Sequence, residues 1–207
     1  MTIICGIDEA GRGPVIGPIV IAGIALDDRD IDKLTALGVK DSKRHTPAKR
    51  EKLAEDIKKI ANYEIIVITA QELNIKMEFA TLNDLEVNCF AEIIKRLKPE
   101  IAYVDSVDVN EERFATQLLS KLDFNLNIIS KHKADELYII VSGASILAKV
   151  IRDNEIKKIE QELNTVIGSG YPSDRRTIEF VTRLLKDKKE SPYIRKFWKT
   201  VKRLSSK

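Results

Sequence analysis

Apolar residues open the chain in two nearly unbroken runs, Ile3–Ile7 and Ile19–Leu26, joined by the glycine- and proline-rich stretch Gly11–Pro18. Short apolar runs closed by turn residues predict buried strands, and so brief a joint predicts a hairpin-like pair. Thr46-Pro47 combines an N-cap with a first-turn proline and opens a helix to about Ala61, with Leu53, Ile57 and Ile60 at helical spacing. A third strand is predicted at Ile65–Thr69. A helix capped by Thr81 and ended by Pro99 comes next, its inner face carrying Leu82, Leu85, Cys89, Ile93 and Leu97. Ile101–Val104 is a short strand stopping at Asp105. Asn110–Leu122 is helical by period (Phe114, Leu118), and Asn127–Ser130 is the last strand. One long helix is expected from Ala134 to about Leu163. The loop Gly168–Asp174 (GSGYPSD), a helix to about Leu185 and a short basic helix around Ile194–Leu204 complete the chain.

Strands that come first as a pair and then alternate with helices predict an α/β fold, a mixed sheet flanked by helices with a helical C-terminal region. The expected division is a body over 1–165 and a C-terminal region over 166–207. Composition changes this picture in a few places. No apolar run approaches the roughly 18 residues of a membrane span, and the first residues lack the pattern of a signal peptide. Cys5 and Cys89 sit in apolar surroundings far apart, which fits free thiols in a reducing, cytoplasmic setting. The net charge of +3 is uneven: from Lys186 to Lys207 there are nine Lys/Arg and two acids, so that stretch carries +7 and the rest −4. A basic tail suits a polyanionic partner, although a solvated terminal helix explains it equally well. No heptad or exposed apolar stripe calls for a second chain, so a monomer is expected.

Carboxylates at strand ends carry the most chemical information. Asp8 follows the first apolar run with Glu9 beside it, Asp105 closes IAYVD, and Asp135 follows NIISKHKA at the start of a helix. Ligand crevices in open α/β sheets lie beyond the carboxyl ends of parallel strands. Acids converging there with no counter-charge repel one another unless protons or cations neutralise them. An all-oxygen set without thiolate or imidazole favours magnesium or manganese. Two such ions roughly 3.5–4 Å apart can activate water against a phosphodiester. Any one of these aspartates taken alone is also explained as a turn residue or a helix cap.

Gly11-Arg12-Gly13 brings main-chain donors and acceptors within reach of a ligand, such as a ribose 2′-hydroxyl, or forms a simple bulge. Neither a phosphate-binding Gly-Lys-Ser/Thr nor a dinucleotide G-x-G-x-x-G is present. Asp41-Ser42-Lys43-Arg44, His132-Lys133 and Lys149 suit phosphate contacts. Tyr171, in its loop, can stack on a base or sugar, or pack back on the protein. Trp198 reads as the anchor of a terminal helix, with Lys and Arg around it free for phosphates. Cys5, His45, Cys89 and His132 match no zinc spacing.

Taken together and in order, GIDEAGRGPVIGP, DSK, YVDSVDV, KHKAD, SGASILAK, GSGYPSD and RKFWKT resemble ribonuclease HII, the type 2 ribonuclease H family, from Ile4 to about Thr200. The resemblance implies a ribonuclease H-like catalytic domain over 1–165, with the substrate-sensing loop and basic tail in 166–207. It implies hydrolysis of the RNA strand of RNA–DNA hybrids and cutting 5′ of ribonucleotides embedded in duplex DNA, using two Mg2+ or Mn2+ ions. Carried over by position, the catalytic and metal-holding acids are Asp8, Glu9, Asp105 and Asp135; Asp105 fits better than Asp108, which lies in the next loop. Gly11, Arg12 and Gly13 would read the 2′-hydroxyl, Ser42 and Lys43 would meet substrate phosphates, and Tyr171 would sense the RNA-to-DNA junction. Arg44-His45, Gly143, Arg175 and Phe197 depart from the family's common pattern. The chain's last residues, RLSSK, carry no glutamine-led aromatic motif, so no sliding-clamp partner is expected. A different two-metal nuclease, such as a junction resolvase, and a non-catalytic nucleic-acid binder are the competing readings.

Overall fold

The structure, a computed structural model, describes residues 1–40, 46–187 and 190–206. Its residues gather into two compact units, one of 1–10, 21–66 and 82–150, the other of 11–20, 67–81 and 151–207. These are not the two consecutive stretches 1–165 and 166–207. Among the described residues no helix is long and apolar enough to cross a membrane.

The described strands are β1 (Ile3–Ala10), β2 (Ile19–Asp27), β3 (Asn62–Ile68), β4 (Ile101–Asp105) and β5 (Asn127–Lys131), and they form one sheet in the order β3-β2-β1-β4-β5. The sheet is mixed, and β1, β4 and β5 are its parallel part. Cys5 pairs with Ala102 and Ile7 with Val104, so the next residue on each strand is an aspartate, Asp8 and Asp105. β2 is apolar and buried along nearly its whole length, as a strand covered on both faces must be.

The described helices are α1 (Ile31–Leu37), α2 (Pro47–Ile60), α3 (Ala70–Lys76), α4 (Leu82–Leu97), α5 (Glu111–Leu119), α6 (Ala134–Leu137), α7 (Ile139–Leu163), α8 (Arg175–Lys186) and α9 (Lys199–Ser205). Thr46 caps α2 as its sequence predicts, accepting from the Lys49 N–H at 3.3 Å. Two helices escaped the periodicity, α1 and α3, each seven residues long. Local chemistry defines both. Gly38 ends α1 in the left-handed conformation, and Thr69 and Glu72 form a reciprocal capping box at the start of α3. The long helix expected from Ala134 is broken at Tyr138, which is extended, so α6 is a single turn. The inner face of α4 is also rotated from expectation. Phe90, Ala91, Ile93 and Ile94 are buried while Cys89 is only partly so, because Phe90 packs edge-on against Phe114 of α5 with ring centroids 5.4 Å apart.

Close approach of α7 to β1 decides which groups can face Asp8. A Cβ built on Gly6 would lie 2.4 Å from the carbonyl carbon and oxygen of Ile140 and 2.6 Å from the Val141 nitrogen. Only a hydrogen at this position lets the main chain of α7 rest on the strand. Gly6 and Asp8 share one face of β1, since side chains alternate along a strand. The helix that Gly6 admits therefore runs over the face from which Asp8 projects.

Because the obstacle is backbone, Gly6→Ala should destabilise the protein by about 1–3 kcal/mol or more. At about 2–4 °C per kcal/mol for a chain of this length, that is a clear fall in Tm by calorimetry. An unchanged Tm would mean that α7 does not bear on Gly6.

Candidate active site

Asp8 is nearly buried, 4% exposed. It lies inside β1, which continues to Ala10, and does not terminate the strand as its sequence suggested. Burial pushes its carboxyl up to about 7, helped by the charge of Asp105; the Ser145 hydroxyl, Lys149 and the Glu9 N–H act in the opposite direction. Glu9 joins this group through its main chain, its N–H donating to Asp8 Oδ1 at 2.8 Å.

Asp105 closes β4, as expected. It accepts from the Ala134 N–H at 3.1 Å and also from the Lys133 main chain. Lys133 has a left-handed φ of 55°, and this turn aims the two successive N–H groups at one carboxylate. Burial and the nearby charge of Asp135 still hold Asp105 above the ordinary carboxylate value. Asp135 comes next, in α6, its carbonyl accepting from the Ser142 hydroxyl. Asp8 thus feels the charge of Asp105, and Asp105 that of Asp135.

The expectation of a cluster without counter-charge needs correcting. Lys149 stands among the acids, its Nζ 3.8 Å from Asp135 Oδ2 and 2.7 Å from Ser145 Oγ, to which it donates. Ser145 in turn donates to Asp8. Ser142, Ser145 and Lys149 lie on α7 at helical spacing, which is why one helix can support both Asp8 and Asp135. Lys149 was read from the sequence as a phosphate contact and Ser145 was not singled out; spacing from SGAS to AK was the available signal. Asp108 is kept out of this group, since its carboxylate holds Arg113 Nε at 2.9 Å and the Asn110 N–H at 2.8 Å. His132 Nε2 rests against the Val109 carbonyl at 3.3 Å.

Gly11, Arg12, Gly13 and Tyr171 fall in the second compact unit. Gly13 and Tyr171 are brought together: a Cβ on Gly13 would sit 3.5 Å from Tyr171 Cε1. The Val15 N–H donates to the Gly170 carbonyl at 2.8 Å, tying the two loops by their main chains. Tyr171 is 39% exposed, and the buried guanidinium of Arg152 lies 5.1 Å from its ring centroid. Trp198 packs against the apolar core of this unit, as its anchor role predicts. Arg195 beside it is fully buried, so it is not the phosphate contact its neighbourhood suggested. Ser42 and Lys43, with Asp41, Arg44 and His45, lie outside the described residues.

Among the described residues no three His, Cys, Asp or Glu side chains already form a metal cage. The donor chemistry nevertheless suits a hard divalent cation: carboxylate oxygens, with Asp8 and Asp105 each raised by burial and by a neighbouring carboxylate. Residues 5–201 match the family described as Ribonuclease HII. The chain belongs to that family. A ribonuclease HII from Methanocella arvoryzae is 48% identical over 199 residues, covering 95% of this chain and 89% of its own. The solved ribonuclease H2 from Pyrococcus horikoshii is 41% identical, with a TM-score of 0.91 over 99% of this chain and 97% of that one. The solved PCNA:RNase HII complex from Archaeoglobus fulgidus gives a TM-score of 0.91 at 45% identity, with 99% and 97% covered.

The ribonuclease H-like mixed sheet is therefore observed. The activity is that of a ribonuclease H, a divalent-metal-dependent endonuclease of the RNA strand of RNA–DNA hybrids. This removes the non-catalytic reading. The Archaeoglobus fulgidus complex stands against the expectation of no sliding-clamp partner, which rested on five terminal residues alone.

The raised carboxyl of Asp8 has a signed consequence for stability. Its folded value of about 7 exceeds its ordinary 3.8, so the protonated form favours folding. That contribution is complete below pH 3.8, shrinks as pH rises, and is lost above about 7. In metal-free protein Asp8→Asn should therefore gain in Tm over the parent between these limits and hold that gain above them. The plateau gain should be at least about 1 kcal/mol, or about 2–4 °C. A difference that does not change with pH would show that Asp8 carries no burial penalty.

Proposed function

We propose that this ribonuclease HII cuts on the 5′ side of ribonucleotides, both in hybrids and singly embedded in duplex DNA, leaving 3′-hydroxyl and 5′-phosphate ends. The observation that carries the reading is the group of three acids in the first unit, Asp8 within β1, Asp105 at the end of the parallel strand β4 and Asp135 in α6, with Asp8 pushed up to about 7 by burial. Two magnesium or manganese ions would be held by these three carboxylates with Glu9, and when bound they supply Lewis-acid stabilisation of phosphodiester oxygens and activation of water.

The chain's own residues account for the rest. Ser145 orients the Asp8 carboxyl, and the turn at Lys133 and Ala134 fixes Asp105. Lys149 restrains Asp135 and offsets part of the acidic charge that a phosphodiester would otherwise meet. Gly11, Arg12 and Gly13 come shortly after Glu9 in the chain, and their main-chain groups are assigned to the ribose 2′-hydroxyl. Tyr171, packed on Gly13 with part of its ring exposed, is assigned to the sugar at the RNA-to-DNA junction. Ser42 and Lys43 are assigned to phosphates on the strength of the family resemblance. In this scheme the 2′-hydroxyl is recognised and does not attack, so no 2′,3′-cyclic phosphate forms. The Archaeoglobus fulgidus complex supports a clamp of the PCNA kind as a partner for this chain too.

The test is an end-labelled DNA duplex with one ribonucleotide, incubated with magnesium or with chelator beside an all-DNA control. One metal-dependent cut 5′ of the ribose with a free 3′-hydroxyl is expected, and none in the control. Cutting of the control, or a cyclic phosphate end, would refute the scheme.

A further inference from the structure

Arg195 is among the largest side chains with no exposure to solvent, although it carries a charge that is costly to bury. Its guanidinium is spent on the main chain of the 11–17 loop. Nε donates to the Gly17 carbonyl at 2.8 Å and Nη1 to the Gly11 carbonyl at 2.6 Å, with the Arg12 carbonyl at 3.5 Å from the same nitrogen. The Trp198 ring lies 4.7 Å from the guanidinium, and its own Nε1–H donates to the Arg12 carbonyl at 3.1 Å.

The loop is shaped for this grip. Gly11 has a φ of 92°, and a Cβ there would lie 2.7 Å from the Pro18 carbonyl oxygen. The backbone that holds Arg195 is fixed as firmly. Its N–H donates to the Val15 carbonyl at 3.0 Å, and Ile194 forms an antiparallel bridge with Ile16. Asn74 of α3 clasps both neighbours, its Nδ2 donating to the Ile194 carbonyl and its Oδ1 accepting from the Lys196 N–H, each at 2.8 Å.

We propose that Arg195 is a positioning residue for ribose selection, holding the Gly11–Arg12 peptide group in register while Trp198 holds the Arg12–Gly13 group. This rests on the reading of residues 11–13 as the 2′-hydroxyl contact. A donor on a peptide oxygen orients the whole planar group, including the N–H on its far side. It also polarises that N–H, which makes it a better donor to a ligand. Arg195 acts in this way on the Arg12 N–H, and Trp198 on the Gly13 N–H. Lysine cannot replace the fork, since one ammonium does not reproduce two N–H groups directed at separate carbonyls.

The experiment uses the full chain with magnesium and two duplexes, one carrying a single ribonucleotide and one a 2′-fluoro nucleotide at the same place. The parent, Arg195→Lys and Trp198→Phe are compared for kcat/KM on each, with Tm recorded alongside. Trp198→Phe keeps an aromatic ring but deletes the donor, so it decides the matter if Arg195→Lys does not fold. In the parent the ribose duplex is cut much faster than the fluoro one. Each variant should lose about tenfold or more on ribose, as misplaced recognition groups do, and far less on fluoro, so the ratio contracts. Equal losses on both duplexes, or no loss, would overturn the positioning role. A parent that does not discriminate the two sugars would overturn the ribose reading of residues 11–13, and the role of Arg195 with it.

Discussion

A carboxyl group set inside a parallel sheet beside a second carboxyl cannot keep its charge at no cost. Asp8 is in that position, with Val104 and Asp105 on the neighbouring strand and only 4% of its surface exposed. Much of the first compact unit makes sense as accommodation of this constraint. Gly6 clears the strand face so that α7 can lie on it, and α7 then delivers the Ser145 hydroxyl to Asp8 and the Lys149 ammonium toward Asp135. The turn after β5 spends two main-chain N–H groups on Asp105. These contacts offset part of the repulsion without removing it, since Asp8 and Asp105 both stay above the ordinary carboxylate value. A fold evolved only for stability has little reason to keep such an arrangement, because replacing buried charges by apolar groups is often stabilising. Binding a cation between the acids, as in the proposed function, is a use that would justify it.

The second compact unit solves a different problem, how to hold a glycine-rich loop in one shape. Glycine gives the loop its reach but adds conformational freedom that must be removed again. Here the removal is done by an interior cation that carries the loop carbonyls and by a tyrosine laid on Gly13. The apolar residues Val15, Ile16, Ile156, Phe180, Ile194 and Val201 form the core behind it. Segments distant in the sequence, residues 11–20, 67–81 and 151–207, contribute to this unit, so that the loop and the residues that fix it lie far apart along the chain.

What could be read from the sequence depended on the range of the interactions involved. Apolar runs gave β1, β2, β4 and β5 within a few residues, since continuous burial leaves a plain mark. The acids drew notice because they recur after apolar runs, at Asp8, Asp105 and Asp135, although only Asp105 closes its strand. Helices α1 and α3 were missed because at seven residues they are too short for a hydrophobic period, and their capping residues, Gly38 and the pair Thr69 and Glu72, were the signal that was passed over. The rotated face of α4 reflects packing against Phe114, which no local pattern records. Lys149 and Arg195 were assigned to phosphates because an isolated basic residue in a sequence gives no hint of the carboxylate or carbonyl it will meet. Arg195 meets carbonyls 178 and 184 residues away.

In the proposed function, the acids of the first unit take up divalent cations as a set. Calorimetric titration of metal-free protein with manganese at pH 8, for the parent and for Asp105→Asn, tests this most directly. The account predicts saturable binding to the parent that is abolished or greatly weakened when the central carboxylate becomes an amide. Saturable binding of equal strength in the variant, or none in the parent, would contradict it.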